Sequence, residues 1–386
     1  MTGRRWLRRS LRSVGAVVAL LVTVVLVVFG YAQLKSRQPV TLPAPTGPEL
    51  VGRVIYDWVD GSRPDPYAAD RHTRRELSVW VWYPAEPAPG ARLAPYVPAD
   101  WERAFAYPGD FGQTAPGAVR PHSYDGAPVA GRRFPVLVLT PGLGMNAANY
   151  TAIAEELASQ GYVVAGINPT YSTNVVLSGG RLVRAVPAAA DAADLDQLDG
   201  VWSTDMRFVA NQVQTLGAVA GGRFGGRIDA RRVGFLGHSA GGAAAASACR
   251  LDARCGGAVD LDGDLVGDVV RTGLSRPFLF VGHEGSLSES SQTLPALRGV
   301  LRGEAAGQGH VLTVAGTRHD SFTDRSALFN LFGRQLGVLG SLNGARALRI
   351  TGAYLHAFFD AALLGEDGSM LTAPTRAYPE VRIESV

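Results

Sequence analysis

Hydrophobic residues in this chain gather into short alternating or continuous runs, at 51–59, 77–83, 134–139, 162–167, 233–236, 257–261, 278–281 and 311–314. The middle runs are flanked by Gly or Pro, the pattern of strands buried on both faces. Between them lie stretches with helical character, at 150–160, 201–216, 240–249, 322–336 and 345–364. In the second of these, Trp202, Met206, Val209, Val213 and Leu216 fall on one helical stripe. Strands alternating with helices predict an α/β domain with a mostly parallel central sheet and helices on both faces. The first two runs have no helix between them and predict an antiparallel edge. Residues 85–133 and 171–200 are rich in Pro, Gly and Ala. They read as insertions over the carboxyl edge of the sheet, where such sheets bind ligands.

Ahead of this pattern, residues 13–34 carry no charge and consist mainly of Val, Leu and Ala. About 20 such residues cross a bilayer as a helix. Arg4, Arg5, Arg8, Arg9 and Arg12 precede the segment, and only Lys35 and Arg37 follow it closely. That bias predicts a basic cytoplasmic tail at 1–12, a transmembrane or signal-anchor helix at 13–34 and an extracytoplasmic remainder. A cleaved signal peptide is the alternative, since Gly30-Tyr31-Ala32 offers small residues at a peptidase site and would give a secreted protein. The length of the run favours the retained anchor. Residues 35–48, with Pro39, Pro43, Pro45 and Pro48, read as an extended linker onto a domain at 49–386.

Composition adds limits. At 46% hydrophobic and 18% charged, the chain has ample material for a core. The formal charge of +3 rests on the five arginines before the apolar segment. The rest is about neutral to slightly acidic, so no nucleic-acid partner is expected. Cys249 and Cys255 are the two cysteines, six apart. In an exported domain they can bridge, or they can pack as two small buried residues. Neither zinc-site spacing nor a CxxC motif occurs, and no metal or organic cofactor is expected.

The chemistry begins at Gly237-His238-Ser239-Ala240-Gly241, directly after a predicted strand and before a helix of small residues. This is the context of a nucleophile elbow in an α/β-hydrolase fold, with Ser239 as nucleophile. Glycines on either side let the chain reverse sharply, and the following helix points its positive end at any oxyanion formed there. A serine needs a base, and the base an acid, in the chain order nucleophile, acid, histidine. His319 lies just beyond a strand, where the base belongs; His283, at another strand end, is the rival. His310 stands at the wrong edge, and His356 reads as a packed residue of the last helix. His72, His122 and His238 precede the serine and read as surface, loop or elbow-packing residues. For the acid, Asp262 sits best, ahead of Asp260 on the same strand and Glu284 after the next one.

Several of these stretches together resemble the platelet-activating-factor acetylhydrolase family, plasma and intracellular type II, and its bacterial members. They are Pro141-Gly142-Leu143-Gly144, Leu157 through Ala165, Gly237 through Gly242, Leu261-Asp262-Gly263, and Gly316-Thr317-Arg318-His319 with Phe322 and Asp324. The family often has His where Pro141 stands. The resemblance implies a calcium-independent serine esterase with Ser239, Asp262 and His319 as triad. It also implies an oxyanion hole from the backbone N–H groups of Leu143 and Ala240. Substrates would be short acyl chains of phospholipid-like esters, held near a membrane. A general carboxylesterase or polyester hydrolase is the alternative, and a non-catalytic surface binding protein on the same scaffold is the reading from another class.

Overall fold

The computed structural model describes residues 2–105, 113–190, 194–303, 308–329 and 337–386. The strands of its main sheet, in chain order, are β1 (Leu50–Pro64), β2 (Arg74–Ala85), β3 (Tyr124–Asp125), β4 (Phe134–Thr140) and β5 (Val163–Asn168). They continue with β6 (Ile228–His238), β7 (Cys255–Leu261), β8 (Phe278–His283), β9 (Gly309–Val314) and β10 (Val381–Ile383). All join one sheet in the order β10-β9-β8-β7-β6-β4-β5-β2-β1-β3. Neighbours from β9 through β5 run parallel. Strand β2 is antiparallel to both β1 and β5, and β10 is antiparallel to β9. The eight hydrophobic runs are all strands of this sheet. The expected antiparallel pair β1–β2 forms, with the two-residue β3 added outside it.

The reason for the unbroken runs is visible in the side-chain alternation. Trp80, Trp82, Leu137, Leu139, Val164 and Leu236 enter the core on one face. Val79, Val81, Val136, Val138, Val163 and Phe235 enter the core on the other. The main helices are α1 (Thr2–Ser36), α2 (Thr151–Ser159), α3 (Leu195–Ala218), α4 (Ala240–Leu251), α5 (Thr293–Leu301) and α6 (Gly344–Phe359). Helices α2 and α6 cover the first face, and α3, α4 and α5 the second. The α3 stripe buries Trp202, Met206, Val209 and Val213, with Leu216 half-buried at its end. Each such side chain contributes roughly 1.5–3 kcal/mol.

Three elements differ from expectation. Helix α5 was hidden by Pro295 and Gly299, which interrupt its apolar stripe. The helix expected at 322–336 is, in its described part, a turn at His319–Phe322 and a single helical turn at Arg325–Leu328; residues 330–336 lie outside the described residues. So do 106–112 and 191–193 of the two insertions and the side chains of the basic tail at 1–12. His356 is not packed in the core but pairs with Asp360 across 2.9 Å.

Helix α1 extends beyond the apolar run at both ends. Within it an 18-residue stretch of Ser13–Ser36 has a mean hydropathy of 2.7 and is left uncovered by the rest of the protein, while Ala32 near the helix end is buried. The proline-rich stretch that follows is extended but bound along its length. The Ser36 carbonyl accepts the Ala115 N–H at 2.7 Å. Val40 and Thr41 pair with Val119 and Arg120, Leu42 is buried, and the Thr46 N–H donates to Glu156 Oε2 at 2.7 Å. The Gly47 N–H donates to Ser159 Oγ at 3.0 Å.

Cys249 and Cys255 form a disulfide with Cα atoms 5.2 Å apart, joining the last turn of α4 to the start of β7. Intact-mass measurement should therefore show the oxidised chain two hydrogens lighter than the reduced one. Closing so short a loop is worth about 2 kcal/mol. The Cys249→Ser/Cys255→Ser double variant should melt a few degrees lower by calorimetry.

Candidate active site

Strand β6 ends at His238 and α4 begins at Ala240, so the whole reversal falls on Ser239. Its backbone sits at φ 55°, ψ −129°, a region L-residues rarely occupy and one that costs of order 1–3 kcal/mol. The turn is tight enough that a Cβ on Gly237 would collide with the Gly241 carbonyl, and one on Gly241 with the Thr140 carbonyl. Only glycine fits at either place. The strained turn is held by the Ser239 N–H donating to the Leu261 carbonyl at 2.9 Å and the Gly242 N–H donating to the Ser239 carbonyl at 2.8 Å.

Asp262 stands one residue past β7, also with positive φ, at 57°. Aspartate tolerates this conformation better than most residues. The turn aims its carboxylate back along the sheet edge, where Oδ2 accepts from His319 Nδ1 at 2.8 Å. His319 lies on the turn after β9, its ring about half exposed while the Asp262 side chain is 1% exposed. The other two candidate acids are occupied elsewhere. Asp260 is fully buried beneath the elbow, where its Oδ1 accepts the Gly263 N–H at 2.9 Å. Burial pushes its pKa well above the usual carboxylate range. Glu284 turns outward to accept the Gly316 N–H at 2.9 Å. His283, the rival base, has its ring nitrogens engaged by carboxylates: Nδ1 contacts both oxygens of Asp262, at 2.8 and 2.7 Å, and Nε2 lies 3.0 Å from Glu289 Oε2.

Ser239, Asp262 and His319 line one cavity of about 260 Å³, together with Leu143, Ala240 and Phe280. Ala240 is the first residue of α4, so its N–H is among the donors a helix leaves open at its start. The Leu143 N–H likewise meets no acceptor among the described residues. Among those residues, no cluster of His, Cys, Asp or Glu is arranged to hold a metal ion.

Two residues that the sequence gave little reason to single out tie these loops together. His238 is buried between Tyr150 and the loop bearing His319, its Nδ1 2.9 Å from Tyr150 Oη and its Nε2 3.0 Å from the His319 carbonyl. Tyr150 Oη in turn accepts the Gly142 N–H at 2.9 Å. The neutral ring completes this chain, and burial, helped by the nearby His319, lowers the His238 pKa to about 3. The position of His238 beside Ser239 hinted at packing; nothing in the sequence marked Tyr150. Asp324 performs a similar service. Fully buried, it accepts the Thr151 and Ala152 N–H groups at 3.0 and 3.1 Å, pinning the segment that follows His319 to the start of α2.

The electrostatics follow from these contacts. Burial raises the pKa of Asp262, but hydrogen bonds from His283 and His319 outweigh it and hold it at about 2. For His319 burial lowers the pKa, and the Asp262 contact reverses this to leave it above 6.5.

The model of the family described as "Platelet-activating factor acetylhydrolase, isoform II" matches residues 111–170 and 218–367. Those segments contain Leu143, Ser239, Ala240, Asp262 and His319. A curated protein of Arthroderma benhamiae, named as a probable 1-alkyl-2-acetylglycerophosphocholine esterase, is 29% identical over 266 residues. That match spans 64% of this chain and 65% of the relative's length. Among solved structures, a ferulic acid esterase from Streptomyces cinnamoneus is 32% identical with a TM-score of 0.77, covering 89% of this chain and 99% of that one.

The geometry predicts how Ser239 reacts with a fluorophosphonate probe. Asp262→Asn should slow labelling by roughly 10⁴-fold, because the amide favours the wrong histidine tautomer. Glu284→Gln should leave it nearly unchanged. Tyr150→Phe, which frees the Gly142 N–H and unties His238, should slow labelling about tenfold. Stopped time courses read by in-gel fluorescence would check all three.

Proposed function

Because the chain belongs to the platelet-activating factor acetylhydrolase isoform II family, we propose that it is a serine esterase acting on short acyl esters of phospholipid-like substrates. The observation that carries this reading is the 2.8 Å contact between Asp262 Oδ2 and His319 Nδ1, on the wall of the cavity that Ser239 lines. His319 takes the proton of Ser239 through Nε2 while Asp262 holds its Nδ1–H. The serine oxygen attacks the ester carbonyl, and the N–H groups of Leu143 and Ala240 receive the oxyanion. The alcohol leaves with the proton from His319. Water, activated by the same ring, then releases the acid from the acyl-enzyme. A cavity of about 260 Å³ suits a small acyl group, being under the ~300–1,000 Å³ typical of pockets that enclose larger ligands.

Helix α1 serves in this reading as a membrane anchor with the catalytic domain on the extracytoplasmic side. The uncovered apolar span and the disulfide both support that placement. A cleaved signal sequence is the alternative for the same helix. For the substrate, likeness to a ferulic acid esterase over nearly the whole of both chains favours a second reading, a carboxylesterase that accepts aromatic acyl groups.

Hydrolysis of p-nitrophenyl esters from acetyl to palmitoyl, with methyl ferulate and an acetylated ether phospholipid alongside, separates these readings. Turnover confined to short acyl chains and including the phospholipid is expected, and Ser239→Ala should abolish it. Turnover of methyl ferulate without the phospholipid would favour the aromatic reading. The base acts only when neutral and its pKa is raised. The acid limb of kcat/KM should accordingly fall away at a pH above the ordinary histidine value of about 6.5.

A further inference from the structure

One titratable side chain at the site has no part in the mechanism above. His283, at the end of β8, presents both ring nitrogens to carboxylates. Nδ1 lies 2.8 and 2.7 Å from the two oxygens of Asp262, and the backbone N–H of the same residue donates to Asp262 Oδ1 at 2.8 Å. On its far side Nε2 lies 3.0 Å from Glu289 Oε2. A neutral imidazole keeps a lone pair on one nitrogen, and a lone pair set against a carboxylate oxygen is repelled. A proton on each nitrogen turns both contacts into charge-assisted hydrogen bonds. Glu289 is itself steadied by Arg318 Nη1, 3.0 Å from its Oε1, and Arg318 is the residue before His319. The contacts close a ring from His319 through Asp262, His283, Glu289 and Arg318 back to His319.

Resting on the triad proposed above, we infer that His283 is a positioning residue, held as an imidazolium between Asp262 and Glu289, that orients the Asp262 carboxylate and tempers the proton affinity of His319. The charged groups around it come from three segments: Asp262 after β7, Glu289 on the short helix Ser286–Glu289, and Arg318 with His319 on the turn after β9. Asp264 lies further along the cavity wall, and Glu284, next in the chain, is turned away toward Gly316. With its ring only 10% exposed, the cation is poorly screened by water. Burial by itself lowers the pKa of His283, while Asp262 and Glu289 outweigh it and raise it.

The consequence for catalysis has a definite sign. A carboxylate serving one histidine would raise that base strongly and hold it protonated, and so inactive, near neutral pH. Sharing Asp262 with a second, cationic imidazole weakens that pull, and the like charge disfavours a proton on His319. More of the base is then neutral at a given pH.

Two measurements on the full chain in detergent test this. The first is ¹⁵N NMR of histidine-labelled wild-type protein, with His283 assigned by the signals lost in His283→Gln. Both ring nitrogens of His283 should carry a proton at pH 7, and Glu289→Gln should lower the pH at which one is lost. A single-protonated neutral ring at pH 7 overturns the inference. The second is the pH profile of p-nitrophenyl acetate hydrolysis by His283→Asn, whose amide keeps a donor near Asp262 without the charge. Its acid limb should move up by about one pH unit. A fall in the plateau with the limb unmoved would mark His283 as merely structural. The NMR result does not depend on turnover. If Ser239→Ala retained full activity, the triad would fail while the charge state of His283 was read independently.

Discussion

A carboxylate taken out of water loses several kcal/mol of hydration, and it stays ionised only where donors replace the solvent. Asp262 is under that constraint, with a side chain 1% exposed and a pKa near 2. Its three donors are the His319 ring, the His283 ring and the His283 backbone N–H, each from the carboxyl end of a strand or the turn beyond it. The parallel arrangement of β7, β8 and β9 is what brings those ends side by side. Register therefore matters directly to chemistry: a shift of one residue in β8 would remove two of the three donors.

The elbow imposes the complementary constraint. Ser239 is strained, and the strain survives because neighbouring loops are cross-tied. Tyr150 bonds the loop bearing Leu143, His238 bonds the turn bearing His319, and the two bond each other. The Gly142 N–H, the Tyr150 hydroxyl and the His238 ring thus form one chain between the two sides of the cavity. Asp324 adds a second tie, from the segment that follows His319 to the open N–H groups at the start of α2. The disulfide adds a third, between the helix that follows Ser239 and the strand that leads to Asp262.

Much of this was legible in the residues themselves. Burial on both faces leaves an unbroken hydrophobic run in the central strands, and alternation marks the half-buried β1, so the eight longer strands could be read directly. The two-residue β3 and the three-residue β10 are too short to leave such a trace. Gly237 to Gly241 marked Ser239 because only a strand-to-helix reversal needs that spacing, and the place of His319 after β9 followed from chain order. Among Asp260, Asp262 and Glu284, placement just before Gly263 already favoured Asp262 and the family resemblance supported it, but spacing alone did not settle the choice, since each sits near a strand end. The Asp262–His283–Glu289–Arg318 contacts were invisible, because they depend on how separate loops converge. The disulfide was equally open, as six residues of separation do not say whether a helix end and a strand start face one another.

The bound linker changes what counts as the edge of the folded unit. A soluble version of this protein would naturally be designed by deleting everything before the first long strand. That cut would take away Leu42 from the core and Thr46 from Glu156, and it would strip the partner strand from Val119 and Arg120. A cut between Ser36 and Val40 removes the apolar helix and leaves the strap in place. In purification terms the boundary of the domain lies about ten residues earlier than its proline content suggests, and material cut at the later point would be expected to handle as a destabilised variant, not as the native domain.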